Sequence, residues 1–359
     1  MADDEHAQTA DRDDGRSETA DRDDERSETA ESDHDHGDVR YLDAKATVDD
    51  RARDRRVRET LLDALPDRPR VFDAGCGTGV ALDRLRSWGV RPAAYHGVDA
   101  DPSLVATARE RHEAESEEDV TFAVGDAVAA AREWTGPPPE LVVAQSFLDL
   151  VAPAEALDAF AGLLAPGGFV YAPFTFDGTT GFAPAHPVDD LVAELYHAGI
   201  DAEPGRNNRA GRAALSHLRE RPGETLAVAG SDWIVRPRGG GSAGSDAYPA
   251  DEWYFLDRIL GFVADTLLAS DVRQLSELSE AALRAADLAP DAQAALDAAR
   301  DAGDHESDPT GDPESDPTGD HESGLTALHD WLVTRRRQSV GGTLTYVAHQ
   351  VDICHRTPE

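Results

Sequence analysis

The sequence predicts an α/β protein: a doubly wound, mainly parallel seven-stranded sheet with a helical insertion before the last strand. Three observations predict it. Short apolar runs alternate with helix-length stretches over residues 70–175. Gly, Asp and Pro bound those runs, as they bound strands buried on both faces. Between residues 239 and 338 the alternation stops, and a strongly apolar helical stretch follows a glycine run.

Taken in order, strands are expected at 70–74, 94–99, 121–125, 141–145, 169–174, 225–235 and 343–352. Helices are expected at 80–88, 102–114, 127–134, 154–164 and 188–199, with further helix to about 219. One helix is expected ahead of the first strand, ending near 65. In the insertion, apolar residues at 253, 256, 259, 260, 263 and 267 form an i, i+3, i+4 stripe on a helix over 253–268. The stripe is first a packing face, and would also suit a substrate pocket or a dimer contact. The expected organisation is an acidic tail (1–38), a catalytic domain (39–238 and 339–359) and a helical insertion (239–338).

Charge is unevenly spread. The chain carries 71 acidic and 34 basic residues, for a net −37. Residues 1–40 hold 16 acids against 5 bases, and 301–323 hold 9 acids and no base; the remainder is still at −17. The tail repeats a decapeptide, TADRDDGRSE then TADRDDERSE, and 301–323 repeats SDPTGDPE as SDPTGDHE. Both tracts have too few apolar groups to offset the entropy of ordering, so disorder is expected. His34, His36, His305 and His321 lie in them as solvated histidines, and no metal site is expected. Deleting 1–38 should leave the melting temperature and cofactor affinity unchanged in molar salt; a large loss of either would contradict the reading of the tail.

Lys45 is the sole lysine, every other basic residue being arginine. An acidic chain nearly without lysine resembles the cytosolic proteins of salt-loving archaea, where a Debye length of about 3 Å at molar salt screens self-repulsion. The two cysteines, Cys76 and Cys354, are too far apart to form a metal-ligand pattern and suit a reducing compartment as free thiols. With no apolar leader or long apolar run, a cytoplasmic protein without membrane contact is expected.

The stretch Val71-Phe72-Asp73-Ala74-Gly75-Cys76-Gly77-Thr78-Gly79-Val80 takes a strand through a glycine turn into a helix. Such a turn lets a ligand approach the backbone, with the helix N-terminus beside it. Glycines at 75, 77 and 79, with Val80 next, differ from the G-x-G-x-x-G of dinucleotide folds, and that spacing disfavours an oxidoreductase. Asp73 could pair with a cationic amino group.

Asp-x-Gly-x-Gly-x-Gly after the first strand resembles motif I of the class I S-adenosylmethionine-dependent methyltransferases. Tyr95-His96-Gly97-Val98-Asp99 resembles their second strand, Val124-Gly125-Asp126-Ala127 the end of the third, Leu141–Ser146 the fourth, and Leu163-Leu164-Ala165-Pro166-Gly167-Gly168 the turn before the fifth. The resemblance covers roughly 70–175. It implies S-adenosyl-L-methionine as cofactor, bound by Gly75, Gly77 and Gly79, by Asp99 at the ribose hydroxyls, and by Asp126 with Ala127 at the adenine. Gln145 after the fourth strand and Tyr41 ahead of the first are further cofactor candidates. Lys45 could contact the methionyl carboxylate or an anionic substrate. For Asp49, Arg51 and Arg55 a charged helix face is the default reading. Asp99 and Asp126, ending strands, could instead cap the next helix.

Methyl transfer needs an acceptor held in line with the methyl carbon, about 3 Å away, and a group to take its proton. Asp149, His186 and His349 are the candidate bases, and Ser146, Phe147, Phe174 and Phe176 face the acceptor side. A small-molecule acceptor is expected first. RNA or protein modification is the alternative, and a cofactor-binding protein without transferase activity a third. No basic–aromatic platform for nucleic acid is visible, and Gln-Ser-Phe-Leu stands after the fourth strand where the amino-methylating enzymes that act on adenine or glutamine carry Asn/Asp-Pro-Pro-Tyr/Phe, which disfavours those two acceptors.

Overall fold

The computed structural model describes residues 38–112, 119–269 and 319–359. Alternation sets the centre of the sheet. In β1 (Arg70–Ala74), Val71 packs into the core on one face and Phe72 into the core on the other, as a strand covered on both sides must. β2 (Ala94–Asp99), β3 (Asp119–Val124), β4 (Leu141–Val143) and the start of β5 (Phe169–Ala183) extend the sheet in parallel, with Arg70 opposite Ala94 and Val71 opposite Leu141. β6 (Glu224–Gly230), β7 (Trp233–Val235) and β8 (Thr345–Arg356) add antiparallel pairing. The order is β3-β2-β1-β4-β5-β8-β6, with β7 on β8. It reverses direction between β1 and β4, opening a crevice at the carboxyl ends of these strands.

Helices cover both faces. α2 (Arg55–Ala64), α3 (Val80–Ser87) and α4 (Pro102–His112) bury Leu61, Leu82, Leu85 and Val105 on one side. α5 (Ala127–Arg132), α6 (Pro153–Leu163) and α8 (Ala210–Arg219) bury Val128, Phe160 and Ala214 on the other. A third core joins α1 (Val39–Ala52), α7 (Asp189–Ala202), α9 (Glu252–Ala269) and α10 (Gly319–Val340) around Phe255, Leu256, Leu260 and Trp331. Each such side chain withdrawn from water contributes about 1.5–3 kcal/mol. α10 is tied to α7 by Arg335, whose guanidinium is fully buried, pairs with Asp189 and donates to the Pro184 carbonyl at 2.7 Å. Trp331 Nε1 donates to the same Asp189 at 2.7 Å.

Departures from the expected elements have local causes. The single helix ahead of β1 is broken at Arg53 and Asp54, where Asp54 caps α2 by accepting from the Val57 N–H at 2.8 Å. The 225–235 strand is divided at Ser231 and Asp232, which gives eight strands in place of seven. β5 runs nine residues past its expected end because β8 pairs with it up to Ala183, across two irregularities. Arg335, Arg336 and Arg337 lie near the C-terminal end of α10, where cations suit the helix dipole. The expectations for 1–37 and 301–318, with His34, His36 and His305, lie outside the described residues, as does the His321 side chain; α10 begins inside the expected 301–323 loop. Among the described residues no helix is long and apolar enough to cross a membrane.

Candidate active site

The glycine turn after β1 is held by hydrogen bonds at its base. Gly75 and Cys76 N–H both donate to the Val98 carbonyl, at 2.9 and 3.1 Å. The Gly77 N–H donates to Asp99 Oδ2 at 2.8 Å, and the Asp101 N–H donates to Asp99 Oδ1 at 3.0 Å. Asp99 thus joins the end of β2 to the turn. Burial raises its carboxyl above the usual range, against the Asp101, Gly77 and Ala100 backbone donors. Gly75 has φ +70, and a Cβ there would stand 2.6 Å from the Phe147 ring; only glycine leaves that wall open.

Gly75, Gly77 and Asp99 line a cavity of about 350 Å³ at the carboxyl ends of β1, β2 and β4, within the range of small-ligand sites. Its far side is walled by Tyr41 and Lys45 of α1, Tyr196 of α7, Phe262 of α9 and Tyr346 of β8. Tyr41 is buried, stacked on Phe255 at 5.6 Å between ring centroids and edge-on to Phe262 at 5.3 Å. Lys45 Nζ donates to Asp49 Oδ2 at 2.9 Å and to Ser146 Oγ at 3.0 Å, and lies 4.9 Å from the Trp233 ring centroid. Burial pushes the Lys45 ammonium below its ordinary range, offset by Asp49. Gln145 Oε1 accepts from Arg53 at 2.8 Å and from Arg84 at 2.9 Å.

Two residues on the wall hold backbone conformations rare outside glycine: Ser146 at φ 48 and Phe174 at φ 58. Phe174 sits in the irregular part of β5, where its N–H donates to Asp352 Oδ1 at 3.0 Å; Asp352 Oδ2 accepts from the Asp54 N–H at 2.9 Å. One fully buried carboxylate on β8 therefore fixes both an aromatic wall residue and the break between α1 and α2. Strain held so firmly beside a cavity points to a site. Asp149 also lines the cavity; its Oδ1 is buried without a hydrogen-bond partner, and burial raises its carboxyl.

The structure does not bring Asp73, Gly79, Asp126, Ala127, His186 or His349 to the cavity wall. Asp73 is turned into the sheet, where the Tyr95 hydroxyl donates to it. Gly79 begins α3 at φ +84, and a Cβ there would meet His112 at 2.6 Å, so its constraint is packing. Asp126 is an exposed helix cap, its Oδ1 accepting from Val128 and Ala129 at 2.8 and 3.0 Å, and Ala127 is buried behind it. His186 accepts from the Val188 N–H at 3.4 Å ahead of α7. His349 on β8 is bonded to Asp232 at 2.6 Å, away from the wall. Of the charged residues on α1 and α2, Asp49 is buried at the cavity, Arg51 pairs with buried Glu252, and Arg55 pairs with Glu59 on the surface. Cys76 is buried, with burial pushing its thiol up, as suits a filler in the turn. Among the described residues no cluster of His, Cys, Asp and Glu suits a metal ion. The sequence reading missed Arg53, Arg84, Tyr196, Arg206, Gln350 and Asp352; none lies in a local motif.

Asp73 gives a pH-dependent expectation. Burial raises its carboxyl to about 7, opposed by the Tyr95 hydroxyl and reinforced by Asp99. The folded state holds this proton up to about pH 7, whereas the unfolded chain releases it near pH 4. Asp73 therefore makes stability fall as pH rises from about 4 to 7, with no further change above. Asp73→Asn keeps an acceptor for Tyr95 and should flatten that part of the profile; urea unfolding at pH 5, 6 and 7 checks it. An unchanged slope would place the proton elsewhere.

Strand order, the glycine turn and a cavity at the topological switch define a doubly wound protein with a cofactor-type site. Residues 71–168 match the family model described as a methyltransferase domain. No curated protein matches. Similar solved structures include a candidate methyltransferase from Bacillus halodurans, at 12% identity over 84% of this chain and 99% of that one, with TM-score 0.44. Another is an S-adenosylmethionine-dependent methyltransferase from Thiobacillus denitrificans, solved with S-adenosyl-L-homocysteine, at 15% identity over 88% and 97%, with TM-score 0.40. A third, from Haloferax volcanii, is a candidate methyltransferase in complex with the Trm112 methyltransferase activator, at 18% identity over 65% and 92%, with TM-score 0.42. At these scores no argument rests on the three structures. The domain match supports a transferase enzyme.

Proposed function

We propose that this chain transfers a methyl group from S-adenosylmethionine to a small-molecule acceptor by in-line displacement. The observation that carries the proposal is Asp99: a half-buried carboxylate that holds the glycine turn by the Gly77 N–H and lines the cavity. Gly75 and Gly77 provide the close backbone approach and Asp99 receives the ribose hydroxyls. Bound there, the cofactor supplies an electrophilic methyl group on a sulfonium. Tyr41, Lys45 and Gln145 border its methionyl end, and Asp149 receives the acceptor's proton. Walls from α1, α7 and α9 favour an enclosed small acceptor over RNA or protein, and the place of α9 on the wall supports reading the described part of 239–338 as a cap on the 39–238 and 339–359 catalytic domain.

Calorimetric titration of S-adenosylmethionine and of NAD into the protein in molar KCl tests the reading. Micromolar binding of the first and none of the second is the expected result; the reverse, or binding of neither, removes it. The acidic composition belongs to a halophilic, cytoplasmic setting. Its melting temperature should accordingly climb between 0.2 and 2 M KCl as self-repulsion is screened. A flat or falling response counts against the halophilic assignment.

A further inference from the structure

Four buried polar atoms on the cavity residues lack hydrogen-bond partners: Asp49 Oδ1, Asp149 Oδ1, Gln350 Oε1 and Trp233 Nε1. Three accept and one donates, so a ligand that satisfies them brings chiefly N–H or O–H donors. Charge narrows the choice. Lys45 is paired with Asp49 at 2.9 Å, Arg84 with Asp50 at 2.8 Å and Asp49 at 3.5 Å, and Arg206 with Glu203 at 2.7 Å. Each cation on the wall thus has its carboxylate. Asp149 has no ion-pair partner among the described residues, and it lies at the cavity beside the loop after β4.

Position separates Asp149 from the cofactor end. The glycine turn and Asp99 follow β1 and β2 at one side of the switch. On the other side, Phe174, Phe176, Tyr196, Phe262 and Tyr346 present aromatic surface from β5, α7, α9 and β8. An aromatic enclosure with a carboxylate outside any ion pair, offset only at longer range by Arg206 and Lys45, suits a cation carrying an apolar body. An anionic acceptor would find no spare cation there.

We infer that the acceptor is an amine with an apolar body, its nitrogen held by Asp149 and its body by the aromatic wall. The inference rests on the cofactor reading above and adds the acceptor's chemical class. It reassigns the donor demand of the unpartnered Asp149 and Gln350 oxygens from water to substrate.

The test is calorimetric titration of matched probes into the full chain saturated with S-adenosyl-L-homocysteine in molar KCl. The probes are 2-phenylethylamine, 2-phenylethanol and 3-phenylpropionate, with hexylamine, hexanol and hexanoate as a second body. The expected result is binding of at least one amine about tenfold or more tighter than its alcohol and its acid. Asp149→Asn should remove the preference for amine over alcohol and leave S-adenosyl-L-homocysteine affinity unchanged. Binding of S-adenosyl-L-homocysteine without any amine preference overturns this inference alone, as does tighter binding of the acids. Failure to bind S-adenosyl-L-homocysteine overturns the cofactor reading and the inference with it. The wild-type selectivity decides the matter even where the variant does not fold.

Discussion

Asp99→Ala is expected to weaken S-adenosylmethionine binding by at least about 100-fold while the chain stays folded. Two losses combine. The carboxylate that would receive the ribose hydroxyls disappears, and charge-assisted hydrogen bonds of this kind contribute about 1.5–3 kcal/mol each. The turn also loses its anchor, because the Gly77 and Asp101 N–H groups at 2.8 and 3.0 Å have no acceptor in the variant. Asp99→Asn retains one acceptor oxygen and should fall between alanine and wild type. Calorimetry gives the affinities, and circular dichroism melting separates lost binding from lost folding. Wild-type affinity in a folded Asp99→Ala protein would mean that the cofactor is held elsewhere, and the assignment of the glycine turn would go with it.

Arg335→Ala carries the largest expected effect on stability. The guanidinium is fully buried, pairs with Asp189 and donates to the Pro184 carbonyl and to Gln338 Oε1, both at 2.7 Å. Removing one partner of a buried pair costs about 3–5 kcal/mol. Asp189 retains some exposure and the Trp331 donor at 2.7 Å, so about 3 kcal/mol is expected. In a domain of this size that corresponds to a melting temperature lower by roughly 6–10 °C. α10 would loosen from α7, and Tyr196 and Ile200 of α7 lie on the cavity wall, so acceptor binding should weaken with it. A shift below 2 °C would show that α10 is held by its apolar face alone.

What was legible in the sequence was what is local in the chain. β1 and β2 follow from apolar runs closed by Gly and Asp, and the glycine turn with Asp99 spans 25 residues. β5 outruns its expected end at 174 although Asp177, Gly178 and Gly181 favour turns, because pairing with β8 overrides that local preference. The outer wall could not be read, since Lys45 meets Ser146 across 101 positions and Asp352 meets Phe174 across 178. Asp126 and His349 show the opposite failure. An acid just past a strand, or a histidine within one, has two uses, and here the nearby N–H groups of α5 and the Asp232 carboxylate take them up. Only the surrounding fold distinguishes a cap from a ligand.

β8 follows every other strand in chain order, yet it lies between β5 and β6 and carries Asp352. During synthesis the ribosome therefore releases the glycine turn, Asp99 and the loop after β4 well before the strand that completes the wall. Until then β5 presents an unpaired edge, the kind of surface on which nascent chains stick to one another. A half-made protein would carry the cofactor signature with no finished chamber for an acceptor. Competence thus arrives late and all at once, when a single strand threads into the gap. Ribosomes stalled ahead of Thr345 would yield aggregation-prone, inactive product.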